Sequence, residues 1–337
     1  MSGPAVVTVR RAVRAFLSAH EAHLRCGELF VAVSGGADSL ALTEAAAHVG
    51  HRLDVRVNAV VVDHGLQADS AEVAATAAQA ALRLGADDAR VVGVTVSGPG
   101  GPEAAARKAR YAALRRALPA EAALMLLGHT RDDQAETVLL GLGRGSGPRS
   151  VSGMRPLDAP WARPLLDVPR SVTRDACTEL GVRPWSDPQN ADPRFTRVRL
   201  RTEVLPLLED VLNGGVAAAL ARTAAQLRED SEALDALAGE LYSRAEQRGE
   251  LDVAELAPAP SALRRRALRR WLLGAGVREL TDAHLRSVDA LVARWRGQGG
   301  VWLPGNFEAR RSRGKLCVSI GDTAETGETG QPTTRGD

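Results

Sequence analysis

Apolar residues fall into short runs that alternate with helix-spaced stretches over the first half of the chain. LFVAVS (29–34), VNAVVVDHG (57–65), ARVVGVTV (89–96) and AALMLLGH (122–129) read as strands. Each is a near-continuous apolar run, the pattern of a strand buried on both faces. Residues 38–48, 69–84, 103–118 and 132–142 space their apolar positions for helices, the second ending at Gly85. This alternation predicts a parallel sheet covered by helices on both sides. Ligands of such sheets bind outside the carboxyl ends of the strands. The conspicuous polar positions, 34–39, Asp63 with His64, and 129–133, all follow strands.

The pattern then changes. SGPGGP (97–102) and the Gly/Pro-rich stretch 143–168 read as loops, the second lying over the site. Residues 169–180 predict a helix with proline at its start, and WSDPQNADPRFTR (185–197) is polar and turn-rich. From 199 onward the spacing is almost purely helical, with one long helix over 217–247 and others over 263–273 and 282–295. Residues 300–320 alternate like a small hairpin. The expected organisation is an N-terminal helix over 1–24, an α/β domain over 25–205, a mainly helical domain over 210–320, and a disordered tail over 321–337.

Composition narrows the class. With 45% apolar and 25% charged residues in 337, the chain is neither disordered, collagen-like nor a coiled coil. No apolar run reaches the ~20 residues that span a bilayer, and the N-terminus carries no signal-peptide core, so no membrane association and a cytoplasmic location are expected. Cys26, Cys177 and Cys317 lie far apart, which supports neither a zinc ribbon nor a disulfide framework. The formal net charge is only +2. Lys108 and Lys315 are the only lysines among 43 basic residues, a bias that a GC-rich genome explains. Arginine nonetheless supplies forked donors that match phosphate. Aromatics make up 3%, too few for an extended base-stacking platform.

The strongest chemical signal is SGGADS (34–39), between a strand and a helix. Gly35 and Gly36 let the backbone turn tightly and aim N–H groups at a phosphate, and the helix N-terminus adds partial positive charge. The Walker lysine and the dinucleotide G-x-G-x-x-G are both missing. Asp38 would repel a phosphate unless a divalent metal sits between them, so the loop suits pyrophosphate with magnesium. The competing reading is a simple cap with Asp38 as cap residue. In GHTRDDQAETVLLGLGRGSG (128–147), Asp132, Asp133 and Glu136 share one helical turn near the helix start. They form either a dipole-complementing cluster or a carboxylate set sharing the metal with Asp38. His129 faces the same crevice, and Arg144 follows in a Gly-rich loop where it meets phosphate. Glu103, Arg107, Arg110 and Tyr111 lie at helical spacing, and Glu103 with Arg107 alone reads as a solvated pair. His64 ends the second strand, where a nucleobase fits. In ALRRRALRRWL (262–272), Arg265, Arg266, Arg269 and Arg270 share a broad face at about 100° per residue. That face is either solvated or tracks RNA phosphates without reading sequence.

In its strand–loop–helix setting, SGGADS resembles the PP-loop of the N-type ATP pyrophosphatases. With VDHGL (62–66), EAAARKARY (103–111), HTRDDQAETVLLGLGRGSG (129–147), RPLL (163–166), WSDPQNADPRFTR (185–197) and the arginine-rich helix, the chain closely resembles the tRNA(Ile)-lysidine synthetases. The resemblance covers residues ~25–320. It implies an α/β PP-loop domain followed by a mainly helical domain. It implies that ATP adenylates the wobble cytosine of an isoleucine tRNA with a CAU anticodon, and that the amine of free L-lysine displaces AMP. It also implies roles: Ser34, Gly35, Gly36, Ala37 and Ser39 for phosphates, Asp38 and Asp132 for Mg2+, and Asp133 for the lysine amine. Glu103, Arg107, Arg110 and Tyr111 would receive the cytosine and its phosphates. Val198 and Gln189 depart from the family pattern, where Asn and Ser are usual. Some relatives carry a further C-terminal domain, so the chain resembles the short form. A homodimer through the long helix is compatible with the pattern, with no particular residue behind it. Two other enzyme readings are weaker. A tRNA thiolase would want paired reactive cysteines, and an amidotransferase-fed synthetase would want a glutaminase. A non-catalytic tRNA-binding module would not need the intact 34–39 loop.

Overall fold

The computed structural model describes residues 3–65, 69–96, 102–119, 123–145, 147–187 and 191–320, with the side chains of 102–104 left out. The expected loop at 97–101, the Glu103 side chain, Gln189 and the tail over 321–337 lie outside the described residues. The chain divides into two compact units, Met1–Arg228 and Glu229–Asp337. The division falls inside the long helix, later than the 205–210 boundary expected from the sequence.

In the first unit, α1 (Pro4–Ala19) leads to β1 (Glu28–Val33), α2 (Ala37–Gly50), β2 (Arg56–Asp63), α3 (Ser70–Arg83) and β3 (Asp88–Gly93). Next come α4 (Pro102–Arg116), β4 (Met125–Leu126), α5 (Arg131–Gly143), the short α6 (Pro148–Val151), β5 (Leu157–Asp158) and β6 (Trp161–Ala162). The unit continues through α7 (Arg170–Glu179) and α8 (Thr196–Arg199), then a π-helical turn over Leu200–Val204 and α9 (Leu205–Val211), into α10 (Val216–Ala245).

The sheet order is β3-β2-β1-β4-β6-β5, parallel throughout except for the β5–β6 pair. Burial on both faces follows from the strand sequences. Leu29, Val31 and Val33 of β1, with Val57, Ala59 and Val61 of β2, join one core with α1, α2, α3 and α7. Phe30 and Val60 point the other way, into a second core with Leu114 and Met125. A period of two on strands wet on neither side gives the continuous apolar runs seen in the sequence.

The N-terminal helix is part of this core rather than an appendage. Val6, Val9, Val13, Phe16 and Leu17 bury one face of α1. The Glu179 carboxylate at the end of α7 accepts hydrogen bonds from the Ala5 and Val6 N–H groups at 3.1 and 2.9 Å. Glu44 of α2 holds Arg10 in an ion pair. Helix α2 is buried nearly all round, because its run of small residues lets α1, α3, α7, β1 and β2 approach it. The stretch 143–168, expected as loop, instead supplies α6 and the two short strands that extend the sheet beyond β4.

The second unit pairs the end of α10 with β7 (Glu246–Gln247), β8 (Glu250–Asp252), α11 (Val253–Leu256), α12 (Ser261–Gly274) and α13 (Asp282–Ala293). It closes with β9 (Val301–Leu303), β10 (Phe307–Ser312) and β11 (Lys315–Ile320). The expected hairpin is therefore part of a five-stranded antiparallel sheet, β7-β8-β11-β10-β9. Leu251, Leu268, Trp271, Val288, Leu291 and Leu316 form its core. No single helix among the described residues is long and apolar enough to cross a membrane.

Candidate functional site

The loop at the end of β1 is shaped by its own hydroxyls. Ser34 N–H donates to Ser39 Oγ at 3.1 Å, and Ser39 Oγ donates to the Gly36 carbonyl at 2.9 Å. Gly36 N–H reaches Ser34 Oγ at 3.4 Å. Gly35 has φ +80, a left-handed conformation that costs glycine nothing. Behind it α2 begins at Ala37, and its N-cap, Gly36, offers no side-chain cap. Asp38 is thus not a capping residue, and the positive end of α2 stays open to an anion. Gly128, at the end of the fourth strand, packs onto the loop so closely that a Cβ there would lie 3.0 Å from the Asp38 carbonyl carbon.

The loop opens into a cleft of about 840 Å3 built wholly from the first unit. Its lining includes Ser34, Gly36, Ala37, Asp38 and Ser39 of the loop, His64, Arg110 and Tyr111, and His129, Asp133 and Arg170. Gly35 is buried and serves through its backbone.

A charge cluster surrounds Asp38. Thr173 Oγ1 hydrogen-bonds its carboxylate, and Arg170 Nε lies 3.5 Å away. Burial raises the Asp38 pKa, and these two partners offset that only in part, with Asp133 opposing them. Asp133 accepts from the Thr130 N–H at 2.8 Å, capping α5, and pairs with an Arg170 Nη at 2.5 Å. Burial acts to raise its pKa too, but the Arg170 guanidinium and the Thr130 N–H outweigh it and hold Asp133 below the usual carboxylate range. Glu136, fully buried, is held by Arg170 at 3.4 Å and by Arg201 at 2.8 Å. Burial pushes His129 down to about 4, so its imidazole is neutral at physiological pH. The His129 Nδ1 atom is buried without a hydrogen-bond partner. The buried Cys177 thiol is pushed up to about 11 by burial and by Asp38, which leaves it unreactive.

Several expected residues sit elsewhere. Asp132 does not line the cleft: its carboxylate accepts the Arg170 backbone N–H at 2.8 Å and caps α7. Asp133, rather than Asp132, is the carboxylate that lines the cleft together with Asp38. No group of three His, Cys, Asp or Glu side chains among the described residues is arranged to hold a metal. Two carboxylates in one cleft, with Asp38 strained toward protonation, do fit a cation whose remaining ligands come from phosphate and water. Arg107 stands outside the cleft lining with its guanidinium 4.9 Å from the Tyr111 ring, and Tyr111 meets Trp161 edge-on at 4.8 Å. Arg144 lines a separate hollow of about 490 Å3 with Leu140 and Arg197.

The arginine face of α12 is mostly spent on packing. Arg266 lies 3.2 Å from Asp235 of α10, and Arg270 sits over the Tyr242 ring at 5.1 Å. Arg264 is buried against Asp289 at 2.7 Å. Arg265 and Arg269 are half-buried. Of the four arginines that the spacing places on one face, solvated or phosphate-tracking, Arg266 and Arg270 also contact α10.

Sequence reasoning missed Arg170, Thr173 and Arg201. The only local signal was the proline before α7, which marked the helix start but not what its first turn would touch.

A parallel sheet, a phosphate loop at a strand end, an open helix N-terminus and carboxylates beside it define a PP-loop enzyme. A PP-loop domain model matches residues 7–208, and a TilS substrate binding domain model matches residues 251–317. The tRNA(Ile)-lysidine synthase of Rhodococcus erythropolis is 57% identical over 327 residues, covering 95% of this chain and 97% of that protein. The tRNA(Ile)-lysidine synthase of Mycobacterium tuberculosis is 53% identical over 311 residues, covering 91% and 93%. The chain belongs to the tRNA(Ile)-lysidine synthase family. A solved structure of the U34-tRNA thiolase NcsA from Methanococcus maripaludis, with its [4Fe-4S] cluster, shares the fold. Its TM-score is 0.51 at 17% identity, over 64% of this chain and 80% of that one.

Proposed function

We propose that this enzyme adenylates the 2-carbonyl oxygen of the wobble cytosine in a CAU-anticodon isoleucine tRNA and then joins L-lysine to the base. The carbonyl oxygen attacks the α-phosphate of ATP and pyrophosphate leaves. The ε-amine of lysine then attacks C2, AMP departs, and a carbon–nitrogen bond remains, which makes the enzyme a ligase. The product, lysidine, pairs with A, so the tRNA reads AUA instead of AUG. The reaction belongs in the cytosol with its tRNA.

The observation that carries this reading is the phosphate loop and the open α2 N-terminus facing Asp38 and Asp133 in one cleft. Backbone N–H groups of the loop and the Ser34 hydroxyl would hold phosphate oxygens. Asp38 and Asp133 would hold Mg2+, which supplies charge neutralisation as pyrophosphate departs. Asp133, kept ionised by Arg170, would steer the lysine ammonium and take its proton, since only the free amine attacks. Tyr111, braced by Trp161 and by Arg107, would receive the cytosine face, and Arg110 its phosphate.

Transfer of labelled lysine into isoleucine tRNA, with methionine tRNA of the same anticodon as control, tests the reading. Label in the isoleucine tRNA alone, lost with Asp38→Ala, is the expected result. AMP formation without label would mean that lysine is the wrong nucleophile.

A further inference from the structure

Four arginines line the cleft: Arg110, Arg170, Arg174 and Arg201. Two are committed to carboxylates. Arg170 serves Asp38, Asp133 and Glu136, and Arg201 serves Glu136 and Asp133. Arg110 stands beside Tyr111, its guanidinium 5.9 Å from the ring centroid. Arg174 remains. It is exposed, and no carboxylate among the described residues lies within ion-pair distance of it.

Its position is specific. Arg170, Arg174 and Thr178 succeed one another at four-residue steps along α7, and all three line the cleft. The neighbouring Thr173 is fully buried against Asp38, so α7 crosses directly over the first turn of α2. Beyond Arg174 the wall is formed by Pro184, Trp185 and Ser186. That wall is tied to the phosphate loop: Trp185 N–H donates to the Gly35 carbonyl at 2.9 Å. A Cβ on Gly35 would lie 3.6 Å from the Trp185 Cβ. Arg174 therefore lines the cleft from the helix that meets Asp38, in a lining that also holds a segment tied to the loop.

The loop itself has no basic residue, unlike a Walker loop, whose lysine meets the terminal phosphates. A triphosphate tail in this cleft needs a cation from elsewhere. Arg170 and Arg201 are already neutralised by buried carboxylates, and Arg110 lies at the base-receiving wall. Resting on the ATP reading above, we infer that Arg174 grips the β,γ-diphosphate of the nucleotide and retains it as the leaving group. Its forked donors suit two oxygens of one phosphate or one from each of two.

Calorimetric titration with ATP, AMP and inorganic pyrophosphate, each with magnesium, and with isoleucine tRNA, tests this on the full chain. Arg174→Ala should weaken ATP and pyrophosphate about ten-fold and leave AMP within about two-fold, the AMP arm serving as the fold control. Arg174→Lys should recover part of the loss. Unchanged affinity for ATP and pyrophosphate in Arg174→Ala overturns the inference. So does a loss confined to tRNA, which would mean that the phosphate met by Arg174 belongs to the RNA backbone. Wild-type protein that binds pyrophosphate through Arg174 but not ATP would break the ATP reading while leaving the diphosphate contact standing.

Discussion

Arg170 holds together groups that would otherwise repel. Its guanidinium reaches Asp38, Asp133 and Glu136, and its backbone N–H is taken by Asp132. Removing it leaves Glu136 and Asp133 to Arg201, with Arg197 at 4.0 Å from Glu136, and takes from Asp38 its ion-pair partner. Breaking a buried ion pair from one side costs about 3–5 kcal/mol, because the remaining charge stays desolvated. Arg170→Ala should lose that much in urea unfolding, and Arg170→Lys less; a loss near zero would mean that the cluster relaxes into water. His129 gives a separate, pH-dependent signature. Its pKa is about 4 in the folded chain against 6.5 unfolded. Between those values the unfolded chain binds more protons, so stability falls as the pH drops from 6.5 toward 4. His129→Gln should remove about one proton's worth of that slope in unfolding measured across the same range. At this scale the sequence spoke where chemistry was local. SGGADS carries its strand, turn and helix start within a few residues, so Asp38 was legible. Arg170 was not, since its acidic partners on α5 lie 34 to 38 residues away and only the closed sheet brings them together. Asp132 and Asp133 are adjacent in sequence, and their parting, one to α7 and one to the cleft, is set by the turn of α5.

Elements were legible in proportion to their length. β1 and β2, six and eight residues long, are buried almost continuously, which reads as an apolar run. β5 and β6 have two residues each, too short for any period, so the sheet's extension past β4 stayed hidden in a Gly/Pro-rich stretch. The arginine face of α12 was open to two readings for another reason. Spacing shows that residues share a face but not what that face meets, and here it meets α10. A double-mutant cycle on Arg266 and Asp235 should give a coupling of about 0.2–1 kcal/mol, the range for a partly exposed pair. No coupling, with loss of tRNA affinity in Arg266→Ala, would restore the phosphate-track reading. The contact between the fourth strand and the phosphate loop offers a sharper test. Gly128→Ala places a methyl 3.0–3.1 Å from backbone atoms of Asp38 and Ser39, which cannot swing aside as a side chain would. A cost of about 1–3 kcal/mol is expected, together with weaker ATP binding. Normal nucleotide affinity in this variant would show that the loop tolerates displacement.

The two units have separate cores. Leu29, Val31, Val57 and their neighbours fill one, and Leu251, Leu268, Trp271 and Leu316 fill another. The division between Arg228 and Glu229 falls within α10. Every residue lining the cleft belongs to the first unit. A ligand that binds only the folded first unit adds about 2.7 kcal/mol to it at a concentration 100 times its dissociation constant, and adds nothing directly to the second. For a unit of this size that corresponds to a rise of roughly 5–11 °C in midpoint. Scanning calorimetry of the full chain should therefore show two transitions, of which ATP with magnesium raises one. Arg170→Ala should lower that same transition and leave the other in place. A single transition that moves as a whole with ATP would mean that α10 couples the two cores into one cooperative unit. Nucleotide occupancy would then stabilise both units.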